Sequence, residues 1–193
     1  MNKRKKIRLS CSLCLSFARN YGLYLAAWNE DGSHFIGGSI TQLSPETYLN
    51  QVTNINVGNS IDIATLEWCK LFGNYDQEKL HWQKVVKNKA NFKLQLLKHF
   101  DQNDSAWIAY HKSILNYRDK RVAHLDEADA EKVFVPFLEK ALSLIFEYYN
   151  YLIDIESDLA IFTDDEKTPK IEEYFELHKR IGKEVYASIR KPQ

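Results

Sequence analysis

Residues 136–158 read PFLEKALSLIFEYYNYLIDIESD. Pro136 suits the first turn of a helix, where an N–H would have no intrahelical partner anyway. Leu, Ile, Phe and Tyr then recur on most sides through about Asp158. A helix that is apolar nearly all round is a buried one, so this segment is expected at the centre of its domain. A central helix needs partners, and the rest of the chain supplies helical patterns. With seven Gly and four Pro in 193 residues, turn residues are too few for a sheet joined by tight turns. The reading is an all-α single domain, with His34–Ile40 at most a short hairpin remnant.

Upstream, residues 8–28 read as a first long helix, with Leu13, Phe17, Tyr21, Tyr24 and Trp28 at spacings of three and four. Asp31-Gly32 and Gly37-Gly38 mark a loop. Ser44 and Pro45 suit the N-cap and first position of a short helix. Asn-rich residues 53–60 read as irregular at the start. Ile61–Phe72 reads as a buried helix ended by Gly73. Asp76 is placed as the cap of a short helix across 77–87. Residues 90–100 are amphipathic, and Asp104 or Ser105 caps a helix running to about Val122. Thr163–Pro169 reads as an acidic linker. Residues 170–189 form a last amphipathic helix, read as peripheral and dispensable for the fold. Residues 1–160 are thus taken as the domain, with 161–193 as an acidic linker and a C-terminal helix packed on or beside it.

Composition narrows the class. Hydrophobic residues make up 45% and charged residues 27%, which is ordinary globular usage. No apolar run approaches the ~18 residues of a membrane span. Lys3, Arg4, Lys5, Lys6 and Arg8 precede Leu9–Phe17, a pattern with some likeness to a secretory signal. Ser10, Ser12, Ser16, Arg19 and Asn20 interrupt it, so an amphipathic helix is the better reading. Cys11, Cys14 and Cys69 are an odd set with no second Cys or His pair to complete a zinc site, so buried thiols are expected. They fit a reducing, cytoplasmic compartment. Net charge is zero, yet residues 1–125 carry +7 and residues 126–193 carry −7. The basic half is compatible with a polyanionic partner, although helical charge runs are more often solvated faces.

The chemistry concentrates in Tyr117-Arg118-Asp119-Lys120-Arg121-Val122-Ala123-His124. Three cationic groups and one imidazole within two helical turns repel one another unless an anion sits among them. Arg offers a planar fork for a phosphate, and His exchanges protons near neutral pH. Together they are the minimum for cleaving RNA without a metal, the RNA 2′-hydroxyl being the nucleophile. The bland alternative is that an Arg and a His near a helix C-terminus only meet its dipole. In an ideal helix, Arg118 and His124 lie about 120° apart in projection, so catalysis requires the helix to end near Ala123 and His124 to turn back. Glu67 on the neighbouring helix is a candidate partner for Arg118, and His81 a candidate for the same cleft. Trp68, Trp82 and Trp107 are read as core packing rather than base-stacking platforms. No Gly-rich phosphate loop, H-E-x-x-H or G-x-S-x-G occurs.

Arg118-Asp119-x-x-x-x-His124 matches the R-x(4–6)-H motif of HEPN proteins. Ile61–Gly73 (IDIATLEWCKLFG), His81-Trp82-Gln83-Lys84, Trp107, Tyr110 and Tyr117–Asp126 (YRDKRVAHLD), in that order, resemble the abortive-infection U-type branch of that superfamily over roughly residues 10–155. The resemblance implies a bundle of four to five helices that dimerises so that two motifs face one cleft. It implies a metal-independent endoribonuclease, needing no cofactor, in a defence or toxin–antitoxin role with an antitoxin or regulatory partner. Arg118 and His124 would be the catalytic pair, with Asp119 orienting one of them. Lys120, Arg121, Tyr117 and Lys70 would hold the RNA. Some HEPN proteins only bind RNA, a nucleotide or a protein, which is the alternative reading; a purely structural helical interaction protein is a third.

Overall fold

A computed structural model describes residues 1–28, 45–123, 135–159 and 169–189. Among these residues there are six α-helices and no strand: α1 (Lys3–Ala26), α2 (Pro45–Phe72), α3 (Lys89–Lys98), α4 (Asp104–Tyr117), α5 (Glu139–Leu159) and α6 (Ile171–Ile189). The protein is all-α, as its composition and periodicity predict. The region proposed as a hairpin remnant lies outside the described residues, as does Ser44. Among the described residues no helix is long and apolar enough to cross a membrane.

The hub is α1 rather than α5. Asn2 caps it by accepting from the Lys5 N–H at 2.9 Å, so the helix begins five residues earlier than its apolar pattern suggests. Ile7, Cys11, Cys14, Phe17, Ala18 and Tyr21 are buried on it, and α2, α5 and α6 all pack against it. The apolar side of the signal-like run is therefore built into the core, while Lys3, Arg4, Lys5 and Arg8 stay exposed. Cys11, Cys14 and Cys69 are buried and in no disulfide.

α5 is in the core as expected, with Leu138, Ala141, Leu144, Ile145, Tyr148, Tyr149 and Leu152 at most 1% exposed. It starts at Glu139, three residues past Pro136. The Tyr110 hydroxyl explains the shift. It donates to the Phe137 carbonyl and accepts from the Ala141 N–H, each at 2.9 Å. A phenol from α4 thus satisfies one of the orphan donors of the α5 N-terminus.

Residues 53–60, expected to be irregular at the start, are helical, and α2 runs unbroken from Pro45. Thr53, Val57 and Ser60 are buried, Val57 packs with Ala26 and Ala27, and the Ser60 hydroxyl donates to the Asn56 carbonyl at 2.8 Å. Tertiary burial here outweighs the poor helix propensity of Asn, Thr and Gly58. The expected helix at 77–87 is instead an irregular connection with one 3₁₀ turn, Trp82–Lys84. His81 caps that turn, its Nδ1 accepting from the Gln83 N–H at 3.2 Å, while Trp82, Val85 and Val86 anchor it in the core. Asn103, rather than Asp104 or Ser105, caps α4.

The last helix, expected to be peripheral, instead packs into the core. Ile171 and Phe175 of α6 belong to the same apolar core as α1 and α5. Gly22 and Gly182 let the helices approach closely: a Cβ on Gly182 would lie 2.6 Å from the Ala26 Cβ, and one on Gly22 would lie 3.0 Å from the Phe175 carbonyl oxygen.

Candidate functional site

The last turn of α4 carries Tyr117, and the chain then continues as a π-helical turn, Arg118–Ala123. A π turn is rare, and such turns occur frequently at functional sites. The segment packs against the middle of α2. Tyr117 is buried and donates its hydroxyl proton to Asp62 Oδ1 at 2.6 Å. Burial first, then the Asp62 carboxylate, pushes the Tyr117 phenol well above its ordinary pKa, while the nearby Arg121 guanidinium pulls the other way. Tyr117 thus joins Asp62 of α2 to the turn that carries Arg121.

Arg118 follows at once. Its side chain is only 13% exposed, and its Nε and Nη2 both reach Asp119 Oδ1 at 2.7 Å. Charge-assisted bonds to a planar guanidinium fix its orientation better than a single contact does. The guanidinium also lies near the Cys69 thiol on α2 and lowers its pKa, but burial dominates and carries that thiol up to about 12. Cys69 is thus an unreactive neighbour. Lys120 and Arg121 are exposed beside the pair. Tyr117, Arg118, Asp119, Lys120 and Arg121 are neighbours in the chain, Tyr117 at the end of α4 and the other four on this one turn, whereas His124, the other half of the motif, lies outside the described residues.

Two predicted neighbours are placed differently. Glu67 does not pair with Arg118. It binds the Lys70 ammonium at 3.2 Å and receives the Ser16 hydroxyl of α1 at 3.3 Å. Lys70 thus pairs within its own helix, its side chain 47% exposed. The physical reason is helical: Glu67 and Lys70 are three residues apart and share a face. Asp62 and Cys69, seven apart, share the face that meets Tyr117 and Arg118.

His81 is a structural residue: it is 5% exposed. Burial, reinforced by Lys84 and His111, lowers its pKa to about 4, so it is neutral and free to cap the 3₁₀ turn. Trp68 and Trp82 are buried as core packing, with Trp68 among the rings of Phe72, Trp107, Tyr110 and His111. His111 Nε2 donates to the Phe72 carbonyl at 2.7 Å and helps close the end of α2. Asp62 was not singled out by sequence reasoning. Its one signal is an acid between two isoleucines, Ile61-Asp62-Ile63, in a helix read as buried. No family model, no curated protein and no solved structure matches this chain.

Proposed function

We propose that this protein is a metal-independent endoribonuclease of HEPN type that works as a homodimer in defence or in a toxin–antitoxin pair. The observation that carries the reading is the Arg118–Asp119 pair on a π-helical turn, flanked by exposed Lys120 and Arg121. This arrangement holds a mostly buried guanidinium in one orientation beside two further cations, which suits a phosphodiester. In the proposed reaction, the RNA 2′-hydroxyl attacks the adjacent phosphorus as His124 takes its proton. The P–O5′ bond breaks and the 5′-oxygen leaves with a proton. Arg118 stabilises charge on the non-bridging oxygens. The products are a 2′,3′-cyclic phosphate and a 5′-hydroxyl. One motif per chain supplies few cationic groups, and a two-fold pairing would double them around one substrate.

A second reading is favoured by the same ion pair. Arg118 Nε and Nη2 are both committed to Asp119, an arrangement equally suited to a module that holds RNA, a nucleotide or a protein without cutting. Mixed RNA incubated with the purified protein in EDTA separates the two. Wild type is expected to cut. His124→Ala is expected to lose about 10²–10⁴-fold, the usual share of general acid–base catalysis. Arg118→Lys should not rescue an Arg118 defect, because a point charge lacks the bidentate fork. A wild type that binds RNA and cuts nothing replaces the enzyme reading by the binding one.

A further inference from the structure

A cavity of about 480 Å³ lies between the C-terminal end of α1 and the lead into α5. Small-molecule sites typically span about 300–1,000 Å³. Its α1 wall is aromatic. The rings of Tyr21 and Tyr24 lie 6.1 Å apart and nearly parallel, and Trp28 meets Tyr24 edge-on at 6.0 Å. Opposite stands Phe137, 83% exposed, its carbonyl held by the Tyr110 hydroxyl. A phenyl ring presented to water on a tethered backbone is an unused apolar surface. Among the described lining residues the charged one is Glu139, whose carboxylate lies beside the Tyr21 hydroxyl.

These features select a ligand class. Among the described residues that line it, the cavity has an anionic group and no cationic one, which repels a phosphate or carboxylate and attracts a cation. Aromatic faces add the attraction of their ring quadrupoles, which is strongest for Trp. Donor count narrows the cation further. A primary ammonium brings three N–H groups and a guanidinium five, all needing acceptors once desolvated. The lining side chains offer the Glu139 carboxylate and two phenol oxygens, one of them already beside that carboxylate. A fully methylated ammonium has no N–H to satisfy and presents methyl groups to the rings. We propose that this cleft binds a quaternary ammonium group, carried by a small molecule of the choline type or by a trimethylated lysine side chain.

Titration calorimetry with tetramethylammonium chloride, against matched sodium chloride, tests the site on the full chain. Tetramethylammonium is expected to bind, and tert-butanol, its neutral near-isostere, is not. Trp28→Ala and Glu139→Gln should each weaken binding about tenfold. Glu139→Gln is isosteric and carries the test if Trp28→Ala fails to fold, as read by circular dichroism. Choline and a trimethyl-lysine peptide are then compared. Tighter choline binding assigns a small-molecule ligand and tighter peptide binding a protein partner, and either supports the site. Equal binding of tert-butanol and tetramethylammonium, no effect of Glu139→Gln, or no binding of tetramethylammonium overturns it.

Discussion

Tyr117 and Asp62 hold the candidate site to α2 through one short hydrogen bond. Hydrogen bonds to charged groups contribute roughly 1.5–3 kcal/mol, so Tyr117→Phe is expected to lower stability by about 2 kcal/mol in urea unfolding. In the proposed enzyme it should also reduce cutting, by loosening the turn that carries Arg118. His81 gives a pH-dependent outcome. The fold lowers its pKa to about 4, against an ordinary value near ~6.5. The unfolded chain therefore binds more protons between those values, so this stability is complete above about pH 6.5 and is lost as pH falls towards about 4. Unfolding midpoints should drop over that window. His81→Asn, whose side-chain oxygen caps the turn without titrating in this range, should flatten the drop. At this scale the sequence was informative where charges cluster: Arg118, Asp119, Lys120 and Arg121 stand together as read. It was silent on Asp62, because which face of α2 meets α4 is decided by packing across 55 residues of separation.

At the level of elements, α6 is where the reading and the structure part. An acidic, Pro-containing linker suggested a loose appendage, yet α6 lies against α1 through two glycines. Glycine in a helix is itself unfavourable by up to about 1 kcal/mol, so its presence at Gly22 and Gly182 marks an approach too close for a side chain. Gly182→Val should destabilise by about 1–3 kcal/mol through overpacking, measured by thermal unfolding. Truncation after Asp158 should leave a chain without a cooperative transition, since Ile171 and Phe175 leave the core with the helix. The long apolar helices α1 and α5 were legible because their periodicity is strong. The boundaries that moved did so for tertiary reasons. Tyr110 ties down the start of α5, Val57 and Ser60 extend α2 through an Asn-rich run, and His81 substitutes a 3₁₀ turn for a helix.

For the whole molecule, the account rests on a bundle centred on α1 that presents the Arg118 turn on α2. The proposed dimer is expected in light scattering at micromolar concentration, and a monomer there would count strongly against a shared cleft. Lys120→Ala and Arg121→Ala should weaken RNA binding and flatten its dependence on salt, since a phosphate that the protein no longer neutralises keeps its condensed counterion. The measurement that bears most directly on the proposed function is cleavage of an RNA whose principal cut site carries a single 2′-deoxy substitution, assayed in EDTA with the product ends analysed. The account predicts that the unmodified strand yields 2′,3′-cyclic phosphate and 5′-hydroxyl ends and that the substituted position resists cutting. Cleavage at the deoxy position, or cutting abolished by EDTA, would contradict it.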